Sequence, residues 1–173
     1  MKLQIGCGDI RLEGWVNIDT RKTSATDLVC DVTRIRDHIA EPVEAIYACH
    51  VLEHFGFGIC EPRAEDVLQG WVDMLAPSGT IFLSVPDLKQ IAIGILTSDG
   101  SFAAEYNFMR CLYGGSEYAE NRHFVGFTRT LLRTLMKRVG LRHVRPFESF
   151  VDDTSRFVLH GVPISLNLMG MKA

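Results

Sequence analysis

The chain has 173 residues, 47% of them hydrophobic, with 18 basic and 21 acidic side chains and a formal net charge of −3. Such a length builds one domain with its own core, and the slightly acidic balance excludes a general nucleic-acid or anionic-membrane binder, both of which favour basic chains. The five cysteines form no CxxC pair, which argues for free thiols in a reducing compartment rather than a disulfide frame or a zinc site.

Short apolar runs alternate with helical patterns, the signature of a βαβ fold with a parallel sheet. Leu3 to Cys7 predicts a first strand that stops at Gly6-Cys7-Gly8-Asp9. Residues 14–19 alternate and predict a second strand ending in Asp19, and residues 27–31 a short third strand ending in Asp31. Residues 44–49 predict a fourth. Residues 63–76 repeat apolar groups at helical spacing (Val67, Leu68, Trp71, Met74), with Pro62 at the start and Pro77 and Gly79 at the stop. Residues 80–85 form a near-continuous apolar run, expected of a fifth strand covered on both faces. A second helix is expected over 129–139, with Thr128 as N-cap and Gly140 just past its end. Strand-like runs follow near 141–150 and 156–171. The stretch 86–127 is too long for a passive loop and reads as a lid or insertion.

The opening residues offer too short an apolar run for a leader, and no run approaches the ~18 residues of a membrane span. Cytoplasmic residence, with neither membrane nor nucleic-acid partners, is the expectation.

A strand ending in Gly-x-Gly lets the backbone approach a ligand closely. Arg11 stands where the dinucleotide fingerprint needs its third glycine, and Asp19 follows too soon for that fingerprint's spacing of about twenty residues. Both departures argue against an NAD site, and no P-loop occurs. Carboxylates at the ends of consecutive strands, Asp19 and Asp31, suit a nucleoside, because a carboxylate can accept from both ribose hydroxyls. Asp31 equally suits the N-cap of a following helix.

The segments Leu3-Gln-Ile-Gly-Cys-Gly-Asp9, Gly14-Trp-Val-Asn-Ile-Asp19, Ile46-Tyr-Ala-Cys-His-Val-Leu-Glu-His-Phe55 and Leu75-Ala-Pro-Ser-Gly-Thr-Ile-Phe-Leu-Ser-Val-Pro86 together resemble the class I S-adenosylmethionine-dependent methyltransferases. The likeness is greatest to a compact branch in which a Gly-Trp turn replaces the first helix. It covers residues 1–86, and 128–172 in outline. The resemblance implies an α/β fold: a doubly wound, mostly parallel seven-stranded sheet with an antiparallel final strand and an insertion after the fifth. It implies S-adenosylmethionine as cofactor, with Gly6, Cys7 and Gly8 beside its methionine part and Asp19 on the ribose. Asp31 and Val32 would meet the adenine, and Cys49 and His50 would face the sulfonium. The missing third glycine leaves helix-dipole contacts at that turn without support.

Methyl transfer from an activated sulfonium needs mainly in-line placement, and a hydroxyl acceptor also needs a base. His50, His54, His123 and Asp87 are the candidates. His50-Val-Leu-Glu53-His54 is also a literal H-x-x-E-H zinc-hydrolase motif, but no downstream glutamate stands out as its third ligand, so no metal is assigned. Arg129, Arg133 and Lys137 share one helix face, either a solvated surface or a grip for phosphate. The expectation is one methyltransferase domain over 1–173 with a lid at 86–127. Its acceptor would be a small molecule or a glycan, the latter from the resemblance alone. Cover for the cleft would come from that lid or from a second subunit in a homodimer. An inactive cofactor-binding module or sensor is the rival reading.

Overall fold

The computed structural model describes residues 1–59, 62–115, 117 and 120–173. Cys60 and Tyr118 lie outside the described residues. The strands β1 (Lys2–Ile5), β2 (Val16–Asp19), β3 (Leu28–Val29) and β4 (Val43–Cys49) come first. They are followed by α1 (Ala64–Met74), β5 (Leu75–Pro86), α2 (Leu88–Thr97), α3 (Phe102–Tyr113) and α4 (Arg129–Arg138). The chain closes with β6 (Leu141–Pro146), β7 (Val158–Leu159), β8 (Val162–Pro163) and β9 (Ser165–Lys172).

Seven strands form one sheet in the order β3-β2-β1-β4-β5-β9-β6, with β7 and β8 apart as a hairpin. Neighbours from β3 to β5 run parallel, and β9 is antiparallel to both β5 and β6. This is the expected sheet. Alternate residues Leu3, Ile5, Ile18, Ile46, Ile81, Leu83, Leu166 and Leu168 lie in one buried cluster with Leu68 and Trp71 of α1 and Leu132 and Met136 of α4. Because strand side chains alternate between faces, both helices pack on the same side. The opposite face is closed differently. Among the described residues no α-helix precedes α1, and aromatic rings cover that side instead. Phe150 packs on Tyr47 and Phe82 with ring centroids 5.3 and 5.2 Å apart, and Phe147 packs on Phe82 at 5.2 Å.

Loop chemistry accounts for the remaining boundaries. The fifth strand begins at Leu75, directly from α1, five residues before the apolar run at 80–85 suggests. A pairing irregularity between Val43 and Ala45 absorbs the extra residues, and Ser78 adopts φ +62°. The run at 156–171 splits because His160 (φ +48°) and Gly161 (φ +79°) both take positive φ, the geometry of a two-residue hairpin turn. Thr128 caps α4 as expected, its side chain accepting from Leu131 N.

The insertion is ordered into two helices. Asp87 Oδ1 accepts from Lys89 N and Gln90 N, capping α2, and Ser101 caps α3. Both helices build a satellite core of Ile91, Phe108 and Ile164. Leu88 N donates to Phe127 O at 2.9 Å, so the two ends of the excursion are tied together at the end of β5.

Asp27 organises the turn between β1 and β2. Its carboxylate accepts from Asn17 N (3.0 Å), Asn17 Nδ2 (2.8 Å) and Arg11 Nη1 (2.7 Å). Those bonds, from Asn17 above all, hold its pKa down at about 2, against 3.8 for the free group. A depressed carboxylate pKa stabilises the fold above the unfolded value and loses that contribution as pH falls toward the folded one. Asp27→Asn is therefore expected to flatten the acid limb of stability between about pH 4 and pH 2, read as the urea midpoint against pH.

Candidate functional site

The site forms where β1, β2 and β4 end. Strand β1 runs into Gly6 (φ +68°) and Gly8 (φ +52°), left-handed conformations that only glycine adopts cheaply. A Cβ on Gly6 would also overlap Cγ2 of Val51, whereas one on Gly8 would meet nothing. Gly6→Ala should therefore cost more than the roughly 1–2 kcal/mol of backbone strain expected for Gly8→Ala. Thermal unfolding of the two variants compares them directly.

Gly8 N donates to Asp19 Oδ2 at 2.8 Å, and Arg21 N donates to Asp19 Oδ1 at 2.9 Å. The buried Asp19 side chain thus pins the glycine turn to the end of β2. Asp31 does not cap a helix: its Oδ1 closes a local turn by accepting from Thr33 N and Thr33 Oγ1. The next residue, Val32, is held by its carbonyl, which accepts from Trp71 Nε1 at 2.9 Å.

Two cavities meet here. The smaller, about 390 Å³, is lined by Asp19, Arg21, Asp31 and Val32 among others. The larger, about 730 Å³, is lined by Cys7, Cys49, Arg110, His123 and Asp153 among others, and is walled on one side by α3 and residues after it. Gly6, Gly8, His50 and His54 line both. The glycine turn, both carboxylates, Val32, Cys49 and the three candidate histidines are thus brought together. Asp87 is not: it lines neither cavity, and its carboxylate is engaged at the start of α2. Arg129, Arg133 and Lys137 are exposed on α4 and line neither cavity, which fits a solvated face.

The histidine tautomers follow from their partners. Ser165 Oγ donates its single proton to Thr154 O at 2.7 Å, so it accepts from His50 Nε2–H at 2.8 Å. His50 Nδ1 is left with its lone pair, 3.5 Å from Glu53 Oε1. His54 Nδ1 donates to Arg122 O at 2.9 Å, and His123 Nδ1 donates to Cys111 O at 3.1 Å. Both therefore keep a free lone pair on Nε2. Burial pushes His50 down to about 3 and His123 to about 4, lowers His54, and raises Glu53 to about 8. Near neutral pH the imidazoles are uncharged. The thiols of Cys7 and Cys49 are also raised by burial, so neither is a reactive thiolate.

The zinc-hydrolase expectation fails on geometry. That motif needs two histidines on one face of an α-helix, but Leu52–His54 form only a short 3-10 turn. His50 stands before it at φ +53° and bonds to Ser165.

Sequence reading missed Arg21, Arg110 and Asp153. Asp153 Oδ2 accepts from Tyr47 OH at 2.7 Å across 106 residues, a separation that local pattern cannot signal. For Arg110, on α3, the loose helical spacing of the insertion was the only hint.

No family model and no curated protein matches the chain by sequence. Solved structures do match. A SAM-dependent methyltransferase from Archaeoglobus fulgidus aligns with a TM-score of 0.59 and 12% identity, covering 99% of this chain and 85% of that one. The Burkholderia thailandensis 1,6-didemethyltoxoflavin-N1-methyltransferase, solved with its substrate and S-adenosylhomocysteine, aligns at 0.60 and 17%, covering 99% and 70%. The chain spans about half (48%) of the CurJ carbon methyltransferase, at 0.57 and 11%. The chain therefore has the class I methyltransferase fold. Among the described residues, no helix is long and apolar enough to cross a membrane.

Proposed function

We propose that the chain is an S-adenosylmethionine-dependent methyltransferase acting on a small molecule. The observation that carries this reading is the pair of cavities joined at Gly6, Gly8, His50 and His54. They sit outside the carboxyl ends of β1, β2 and β4, at the point where sheet order reverses, which is where open α/β sheets bind ligands. The smaller cavity takes the adenosine, with the ribose on Asp19 and the adenine against Val32 and Asp31. Gly6-Cys7-Gly8 would hold the methionine part, and Cys49 and His50 would stand beside the sulfonium, which supplies the activated methyl group.

The acceptor occupies that larger cavity. Its attacking atom forms the new bond to the methyl carbon as the carbon–sulfur bond breaks, and the electron pair remains on sulfur. Alignment supplies much of the rate, and His50, His54 and His123, uncharged and lining the larger cavity, are the candidate bases for a protic acceptor. The structural neighbours solved with small substrates support this substrate class; a glycan acceptor rests on sequence resemblance alone. Helix α3 walls the larger cavity from within the chain. Four cysteines among the described residues are unpaired, in keeping with a reducing, cytoplasmic setting.

Titration calorimetry tests the reading. S-adenosylmethionine and S-adenosylhomocysteine are expected to bind one to one, and binding by neither overturns it. Binding without turnover across a broad acceptor panel would instead favour a cofactor-sensing module.

A further inference from the structure

Glu53 poses a problem that the methyl-transfer reading does not use. Its side chain is wholly buried, and neither carboxylate oxygen has a hydrogen-bond partner. A buried carboxyl group without hydrogen bonds is costly, and such groups persist where something pairs with them; burial keeps this one protonated near neutral pH, and a bound cation would displace that proton. Around it stand three imidazoles, with His50 Nδ1 3.5 Å from Glu53 Oε1. His123 Nε2 lies 3.9 Å from Glu53 Oε1, and one ligand atom from each of Glu53, His54 and His123 lies within 4.8 Å of the others.

We propose that Glu53, His54 and His123 bind a divalent transition-metal ion, Zn²⁺ by the chemistry of the set. Three features carry this. The donors are two neutral imidazole nitrogens and one carboxylate, the His₂Glu combination that holds zinc with an open fourth position. Each imidazole already donates Nδ1–H to a backbone carbonyl, His54 to Arg122 O and His123 to Cys111 O. That is the outer support that fixes a ligating histidine's tautomer and leaves Nε2 as the ligand atom. His54 and His123 also line the larger cavity, so an ion held by them would lie beside the acceptor. His50 is left out of the set because it stands outside the group of donor atoms that lie within 4.8 Å of one another. The set therefore differs from the H-x-x-E-H reading of the sequence: it recruits His123 from the insertion.

This inference rests on the methyltransferase reading for its role. A cation here binds an acceptor hydroxyl and acidifies it, and the proton leaves to water at the cavity mouth. The oxygen then forms the O–CH₃ bond while the S–CH₃ bond breaks, the pair staying on the sulfur of S-adenosylhomocysteine. The acceptor class it selects is an alcohol or phenol.

The test uses the full chain, stripped with a chelator and titrated with ZnCl₂ by calorimetry, and with CoCl₂ by visible absorption. One equivalent of Zn²⁺ is expected, together with the visible bands of low-coordinate Co²⁺. Glu53→Gln and His123→Ala should each weaken Zn²⁺ binding at least about tenfold, since even outer partners cost 10–100-fold. His38→Ala, at an exposed histidine, should not. Thermal unfolding in chelator checks that each variant folds; the parent and His38→Ala should gain stability on adding Zn²⁺, whereas Glu53→Gln and His123→Ala should gain little. The proposal is overturned by the absence of saturable uptake, or by uptake unchanged in both Glu53→Gln and His123→Ala. S-adenosylhomocysteine binding in chelator is the separate arm. Its loss with Zn²⁺ uptake intact removes the methyltransferase reading and leaves the metal site.

Discussion

Asp19→Ala is expected to weaken S-adenosylhomocysteine binding roughly thirtyfold, about 2 kcal/mol. The carboxylate offers about four lone-pair sites. Gly8 N and Arg21 N use two of them, leaving acceptors for two ribose hydroxyls. Hydrogen bonds to a charged group contribute about 1.5–3 kcal/mol each, but the substitution also frees Gly8 N from its anchor, so the turn relaxes as well. Asp19→Asn separates the two losses: it keeps one oxygen to hold a backbone N–H and should fall between the parent and Asp19→Ala. Calorimetry measures both, and an unchanged affinity in Asp19→Ala removes the ribose assignment.

The largest stability effect is expected at Trp71. The indole is 2% exposed, in the cluster that joins α1 to the sheet. Trp71→Ala should cost about 3–5 kcal/mol, from lost burial and the cavity left behind. Trp71→Phe keeps most of the apolar volume but removes the Nε1–H donor to Val32 O. It should cost about 1–3 kcal/mol, the range for a buried acceptor left unpaired. Urea unfolding measures both. Because Val32 lines the smaller cavity, Trp71→Phe should also loosen cofactor binding, while a core change remote from that carbonyl should not.

Much of this was legible in the sequence for definite reasons. The glycine turn and Asp19 were readable because a strand ending and its ligand-facing residues are local. The helix at 129–138 was readable because Thr128 and Gly140 mark its ends. The start of β5 was not, since a helix passing straight into a strand at Leu75 leaves no loop to read, and Ser78 is an unusual residue for its conformation. Asp87 reads as a candidate base because a carboxylate just past a strand looks the same in sequence whether it faces a cleft or, as here, caps the next helix. The partnership of Glu53 with His123 was hidden for a different reason: seventy residues separate them, and only the folded insertion brings them together.

The tie between Leu88 and Phe127 has a consequence for how such a chain diversifies. The described residues between these two leave the sheet and return to the same spot, so α2 and α3 form a cassette. Its length and sequence can change while the strands keep their register, because closing a longer excursion costs little more than closing a short one. Arg110 and His123 lie inside that cassette, whereas Asp19 and the glycine turn lie outside it. Exchanging the cassette would thus exchange acceptor preference and leave the nucleoside pocket as it was.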